Sequence, residues 1–175
     1  MKFIKKNNGG FSLVELIVVI LILGVATTLT AGSFTRLSGA YARRGADSTE
    51  ILLAKVKLDA MSKHDCYVEI FYDEEDDRYV ANLYRDLNNN NNYELYGSEI
   101  IGKGRMTITD ANTGKTVTST DKLRIAFNRR IGSLKTASIG SVNLLDNNTA
   151  VRLNFSSGGK IKTVVIYPAT GYIEN

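Results

Sequence analysis

Residues 10–31 have the sequence GFSLVELIVVILILGVATTLTA, and this stretch decides how the rest of the chain is interpreted. Between Phe11 and Ala31 the only charged side chain is Glu15, and the length is close to the roughly 20 residues that a bilayer-spanning helix requires. A carboxylate in such a helix costs about 2.5–3.5 kcal/mol at mid-bilayer and less near the interface, so Glu15 is interpreted as functional. The sequence therefore predicts a transmembrane helix over residues 11–31.

The chain is long enough for one soluble domain besides this segment, because it has 175 residues. Its formal net charge is +4, but three of the 22 basic side chains lie in residues 1–10, which leaves 19 against 18 acidic ones. The charge therefore gives no support on its own for nucleic-acid binding. Cys66 is the only cysteine, so an intrachain disulfide is excluded.

Two common kinds of N-terminus fit this region poorly. A secretory signal peptide has a shorter apolar region and a small-residue cleavage site after it, which Leu29-Thr30-Ala31 does not provide. A plain uncleaved anchor fits the apolar run and the preceding lysines, which stay in the cytoplasm. It does not explain Gly9-Gly10 or Glu15.

A third interpretation explains every feature. The segment Gly10-Phe11-Ser12-Leu13-Val14-Glu15, with lysines before it and an apolar run after it, resembles the class III signal of type IV pilins and pseudopilins. That signal has a glycine before the cut, usually a phenylalanine after it, and a glutamate four residues further on. The resemblance implies that a membrane-embedded prepilin peptidase cleaves between Gly10 and Phe11 on the cytoplasmic side. It also implies that the new amine of Phe11 is N-methylated.

The carboxylate in this signal has a physical role in assembly. Glu15 lies about one helical turn from the new ammonium of Phe11. In a packed filament, Glu15 of one subunit can pair with the Phe11 ammonium of a neighbour, which offsets the cost of a carboxylate in an apolar core. We therefore expect Glu15 to set the register of assembly.

Two glycines point to special behaviour of the apolar helix. Gly24 matches a glycine that many pilins carry, and Gly32 stands where many have proline. Glycine and β-branched residues weaken helix, so the segment between them is predicted to unwind during filament packing. Alternatively, these small residues only permit close helix packing.

The organisation predicted for the whole chain is a basic leader (1–10), a transmembrane and filament-core helix (11–31), an amphipathic continuation of that helix (32–65) and a β-rich domain (66–175). Gly39 and Gly45 are predicted bends in the continuation. Its core-facing stripe is formed by Leu52, Leu53, Val56 and Ala60 and widened by Ile51, Ala54, Leu58 and Met61.

The residues after the helix have the pattern of short strands. An acidic turn at 73–77 predicts a hairpin, and turns are also predicted at 156–159 and 168–171. The fold class is therefore α+β, with one long N-terminal helix packed on a mostly antiparallel sheet, as in the type IV pilin fold. The predicted strands are residues 67–72, 78–84, 99–101, 105–109, 122–127, 141–145, 151–155, 160–167 and 172–174.

The β-rich part is similar to the GspH/FimT-like minor pilins and pseudopilins. The similarity rests on residues 123–132, LRIAFNRRIG, and residues 163–171, TVVIYPATG. Many members have an arginine after the final glycine, where this chain has Tyr172. A role tied to that arginine is therefore in doubt.

An asparagine-rich loop is a candidate metal site. Asp86, Asn88 and Asn90 have the spacing of the first three ligands of a calcium loop. The expected glycine and final acid of such a loop are replaced by Asn91 and Gly97, which favours a solvated loop with left-handed turns.

Other candidate sites are weaker. Arg129 and Arg130 would contact phosphates if the filament takes up DNA, although as surface charge beside a turn they need no such role. His64 and Cys66 form neither a closed metal site nor a catalytic triad. We therefore predict no cofactor and no enzymatic activity.

The predicted function is that of a structural subunit, a minor pilin or pseudopilin of a type IV filament system. Its predicted partners are prepilin peptidase, other pilin or pseudopilin subunits, the inner-membrane assembly platform and membrane lipid, with DNA as a weaker alternative. The precursor is expected to cross the inner membrane once, with its N-terminus in the cytoplasm and its C-terminal domain outside. The alternatives are a pseudopilin of type II secretion or DNA uptake, and a membrane-anchored extracellular binding domain that never polymerises.

Overall fold

The computed structural model describes residues 12–62, 64–88, 90–145 and 149–175, with the backbone alone for residues 26–38. The chain divides into two compact units, Met1–Arg36 and Leu37–Asn175, and helix α1 contributes residues to both. The described elements are α1 (Leu13–Ser62), β1 (Asp65–Asp73), β2 (Arg78–Asp86), β3 (Glu94–Lys103), β4 (Thr107–Asp110), β5 (Leu123–Phe127), β6 (Leu134–Ile139), β7 (Val142–Asn143), β8 (Val151–Ser157), β9 (Lys160–Tyr167) and β10 (Tyr172–Glu174).

The strands form two sheets in the second unit. One sheet has six strands in the order β3-β2-β1-β5-β6-β7, and the other has four in the order β10-β9-β8-β4. Every pairing recorded between the described strands is antiparallel. The predicted α+β class with mostly antiparallel sheets is therefore confirmed, as is the hairpin of β1 and β2.

One apolar core joins both sheets to the second unit's part of α1. All four residues of the predicted stripe of α1 are buried: Leu52, Leu53, Val56 and Ala60. The predicted widening of this stripe is wrong, because Ile51 and Leu58 are 71% and 68% exposed. The sheets cover a narrower face of the helix than the periodicity indicates, since periodicity gives the direction of an apolar face and not how much of it is covered.

Neither Gly39 nor Gly45 interrupts α1, which continues through both residues, and the bends predicted there stay predictions. A β-carbon on Gly45 would overlap the side chain of Met106, which follows β3. Gly45 therefore allows a close approach of the helix backbone to a neighbouring connection, and its role is packing.

The sequence prediction missed β6 entirely. Its burial does not alternate, because Lys135 and Thr136 are both exposed between buried Leu134 and Ala137. The cause is an irregularity in the pairing of β5 with β6 beside Phe127, which shifts the register by one residue. An extra residue of this kind hides the period-two pattern by which strands are recognised.

The first unit contains the apolar part of α1. Its large apolar side chains between residues 13 and 25 are exposed. Residues 11–31 are predicted to cross a membrane, whereas no helix among the residues searched, those that the structure describes, is long and apolar enough to do so.

Two loops lie against each other at one end of the second unit. The turn after β9 is held by Lys57 of α1, whose Nζ donates hydrogen bonds of 3.0 Å to the carbonyls of Thr170 and Gly171. The amide of Leu134 donates to the carbonyl of Pro168 at 2.9 Å. Gly171 has a φ of +58°, and a β-carbon there would overlap the carbonyl oxygen of Gly132. This turn therefore requires a glycine, both for its left-handed backbone and for its close approach to Gly132.

We expect Gly171→Ala to lower the free energy of unfolding by more than about 2 kcal/mol, since strain from the left-handed backbone adds to the overlap with Gly132. Gly159→Ala is the matched control, because Gly159 has a φ of +77° with open space around it. The control should cost only about 1 kcal/mol. Thermal unfolding of the full chain in detergent, followed by circular dichroism, measures both. Equal losses in the two variants would show that the contact between the loops contributes nothing.

Candidate functional site

The described chain begins with a reciprocal cap on α1. The amide of Ser12 donates to Oε2 of Glu15 at 2.9 Å, and the amide of Glu15 donates to Oγ of Ser12 at 3.2 Å. Because α1 begins at Leu13, Ser12 is the N-cap and Glu15 is the third helical residue, which is the arrangement called a capping box. Glu15 therefore satisfies a backbone donor that the helix leaves unpaired.

The sequence analysis missed this role, although the signal was present. Ser-x-x-Glu before an apolar run is the known signature of a capping box, and residues 12–15 have it. A carboxylate in the first turn also interacts favourably with the helix dipole. Two physical effects therefore favour a helix that starts at Leu13, two residues after Phe11, which is predicted to follow the cleavage.

The other residues of the predicted signal are only partly accessible to structural test. Gly10 and Phe11 lie outside the described residues, so cleavage and N-methylation there stay predictions. Gly24 is helical with open space where a β-carbon would be, and Gly32 is also helical. The predicted unwinding concerns the packed filament and stays a prediction as well.

The asparagine-rich loop is organised around Asp86, which is 2% exposed. Its Oδ1 accepts hydrogen bonds from the amides of Asn88 at 3.2 Å and Asn90 at 3.3 Å, and its Oδ2 accepts one from Asn91 at 2.8 Å. Asn91 has a φ of +61°, in the left-handed region that asparagine tolerates. Backbone donors thus surround the carboxylate, which favours the structured, solvated loop over a calcium site.

No group of three or more His, Cys, Asp or Glu side chains gathers as metal ligands in the part of the chain that was searched, the described residues. Cys66 is buried against α1, where its Sγ donates to the carbonyl of Val56 at 3.4 Å. Burial raises the pKa of the Cys66 thiol to about 12. At neutral pH the thiol is therefore protonated and weakly reactive.

Arg129 and Arg130 are exposed in the loop between β5 and β6. The amide of Asn128 donates to the carbonyl of Ser133 at 2.7 Å and closes this loop. The two segments that resemble the GspH/FimT-like group meet here, because this loop contacts the turn that contains Gly171. Tyr172, which follows that turn, packs its ring at 5.9 Å from Tyr167.

The comparisons with known proteins bear on the N-terminus. The family model described as the prokaryotic N-terminal methylation motif matches residues 5–31. The chain therefore carries the type IV pilin and pseudopilin signal, as the resemblance predicts. The motif implies processing by prepilin peptidase and assembly with other pilins, and it indicates a structural subunit rather than an enzyme family. The comparisons with curated proteins and with solved structures gave no significant match.

We expect Asp86→Asn to lower the free energy of unfolding by about 1–3 kcal/mol, because one acceptor for the loop amides becomes a donor. Amide hydrogen exchange should accelerate at Asn88, Asn90 and Asn91. Glu75→Gln, an exposed residue in the turn after β1, is the matched control and should change neither quantity. Millimolar calcium should leave the unfolding temperature unchanged; a rise that requires Asp86 would instead support a calcium site.

We expect Ellman's reagent to label Cys66 in the native chain at least about a hundredfold more slowly than in the denatured chain, because labelling requires opening of the core. Ser62 is exposed nearby at the end of α1. The variant Ser62→Cys in a Cys66→Ala background is therefore the control, and it should react rapidly without denaturant. Rapid labelling of native Cys66 would contradict the inert role.

Proposed function

We propose that this chain is the precursor of a minor pilin or pseudopilin, a structural subunit of a type IV filament system. The observation that carries the proposal is the methylation motif at residues 5–31. The cap formed by Ser12 and Glu15 supports it, because it starts the helix at Leu13, close to the proposed new N-terminus at Phe11.

The proposed organisation follows the predicted segments. Residues 1–10 stay in the cytoplasm until prepilin peptidase removes them between Gly10 and Phe11, and Phe11 is then N-methylated. Residues 11–31 hold the subunit in the inner membrane, in contact with lipid, until the assembly platform transfers it to the filament. Residues 32–62 continue the helix, three residues short of the predicted end at 65, and the β-rich domain outside the inner membrane begins with β1 at Asp65.

Exposed apolar side chains on α1 support assembly through this helix. The large apolar residues between 13 and 25 are exposed, and so are Ile51 and Leu58 in the second unit. The run of exposed apolar side chains between residues 13 and 25 marks a protein or membrane contact. Helices of neighbouring subunits are the proposed partners, and Gly24 permits their close approach.

Glu15 has two compatible roles in this proposal. Its Oε2 accepts the Ser12 amide within the same chain. A carboxylate has about four acceptor positions, so it retains capacity for a further partner. We assign that capacity to the Phe11 ammonium of a neighbouring subunit, which would set the register of the filament.

The finer assignments are part of the same proposal. The resemblance of residues 123–132 and 163–171 to the GspH/FimT-like group supports a minor pilin or pseudopilin. A pseudopilin of type II secretion or DNA uptake is the alternative within the class, and only in DNA uptake would Arg129 and Arg130 meet phosphates. A membrane-anchored extracellular domain that never polymerises is the alternative outside it. Mass spectrometry of the protein isolated from the host membrane separates the anchored domain from both kinds of filament subunit, since only the anchored domain would retain Met1.

Two substitutions at one position separate the roles of Glu15. Glu15→Gln retains the cap, because glutamine also fits a capping box, but it removes the charge. Glu15→Ala removes both. We expect both variants to be cleaved after Gly10 and both to be lost from sheared filaments by at least about tenfold, since a buried ammonium without its carboxylate is strongly unfavourable. Immunoblots of filament and membrane fractions measure this.

Ser12→Ala is the matched control, because it weakens the cap by about 1 kcal/mol and leaves the charge of Glu15 in place. It should enter filaments at near wild-type levels. Normal incorporation of the Glu15→Gln variant would contradict the proposed ion pair and leave the cap as the function of Glu15. A chain that keeps its leader in the host would contradict filament assembly as a whole.

A further inference from the structure

The six-stranded sheet has a polar face opposite the core. Cys66, Val68 and Ile70 of β1 point into the core, so the alternating residues Tyr67 and Glu69 lie on the other face. We call the depression on this face the outer groove; its main residues are Asp65, Glu69, Tyr93, Lys122, Arg124 and Lys135. It consists of two adjoining cavities of about 310 and 350 Å³ that share Arg124 and Ser138. Each is at the lower end of the range for small-ligand sites, about 300–1,000 Å³.

Charge in the outer groove is arranged in two levels. The Glu69 side chain is 10% exposed, whereas its partners Arg124 and Lys122 are 52% and 43% exposed. Asp65 is likewise less exposed than Lys135, to which it is bound at 2.8 Å. The carboxylates therefore lie beneath the cations, and a ligand approaching from solvent meets N–H donors first.

The cations retain hydrogen-bonding capacity after these pairs form. Nε of Arg124 donates to Oε1 of Glu69 at 3.1 Å, and Nη2 donates to the same oxygen. Guanidinium has five N–H groups and ammonium has three, so Arg124 and Lys135 keep further donors. The hydrogen bond from Lys135 to Asp65 raises the pKa of the ammonium, which stays charged at neutral pH. These donors suit carboxylate groups of a ligand.

The aromatic residues of the outer groove argue against nucleic acid. Tyr84 stacks on Tyr67 with ring centroids 4.8 Å apart, and Arg124 lies 4.6 Å from the centroid of Tyr67. Because β2 and β5 flank β1 on opposite sides, these two residues cover opposite faces of the Tyr67 ring. Proteins that bind single strands need open aromatic faces for base stacking. The two carboxylates also weaken attraction for a phosphate backbone.

We propose that the outer groove binds an acidic carbohydrate. Carboxylates of the sugar chain pair with Lys122, Arg124 and Lys135, and its hydroxyls hydrogen-bond with Ser138 and with the partly exposed carboxylate of Asp65. The mixture of charged donors and acceptors matches a ligand that carries both carboxylates and many hydroxyls. This site is independent of filament assembly, so the uncleaved chain should bind as well.

Calorimetric titration of the full chain in detergent with oligogalacturonate tests the proposal. The double variant Lys122→Gln/Lys135→Gln should weaken binding by at least about tenfold, because it removes two charge-assisted partners. Arg124 still pairs with Glu69 in this variant, so the sheet is expected to fold, as circular dichroism would verify. Lys103→Gln/Lys160→Gln is the matched control: both residues are exposed at other sites, and binding should change less than about twofold.

Three ligands make the outcome decisive. A neutral cello-oligosaccharide should bind more weakly than oligogalacturonate, since it lacks carboxylates, and oligothymidylate should bind most weakly. Absence of oligogalacturonate binding at millimolar concentration would overturn the proposal. Equal losses in the two double variants would overturn it too, because they would indicate unspecific attraction to positive charge. Tighter binding of oligothymidylate would assign the outer groove to nucleic acid instead.

Discussion

The second unit depends on the burial of one narrow face of α1 by the two sheets. Leu52, Leu53 and Val56 are buried there, and each such side chain contributes about 1.5–3 kcal/mol when fully removed from water. Gly45 keeps the helix backbone close to the connection that contains Met106. A small residue early on this face and branched residues further along it therefore set the distance of the helix from the sheets. The remaining circumference of the helix stays exposed, which a subunit that packs through its helix requires.

The sequence predicts those parts of the fold that depend on local residue type and spacing. The hairpin of β1 and β2 was predictable because both strands are rich in β-branched and aromatic residues and the turn at 73–77 is strongly polar. Strand β6 was not, because the irregular pairing beside Phe127 is a relation between two strands and leaves no local signal. The exposure of Ile51 and Leu58 has the same origin: it depends on how far the sheets reach, which no residue of the helix encodes.

The candidate site at the N-terminus shows how one short pattern can satisfy two requirements. Ser-x-x-Glu is a helix-start signal for physical reasons, and the same glutamate is part of the methylation motif. The motif was predicted from the sequence and the cap was not, because the motif concerns contacts between subunits whereas the cap lies within the single chain. The proposed filament contact of Glu15 is compatible with the cap, because a carboxylate accepts several hydrogen bonds. A subunit that caps its own helix brings a preformed first turn to assembly, so less backbone entropy is lost when it packs.

Assembly and recognition make opposite demands on a surface, and the two proposals assign them to different surfaces, the helix and the outer groove. Helix contacts favour apolar side chains without buried charge, whereas recognition in water favours directional donors and acceptors held in place. Glu69 holds the donors of Arg124 in place, because two N–H groups of Arg124 donate to one oxygen of Glu69. This order limits the entropy lost when a ligand binds. Lys122 and Lys135 flank this ordered pair on the same sheet face. Since Glu69, Arg124 and Lys135 stand on paired strands, we expect the outer groove to keep its shape when the helix enters a filament.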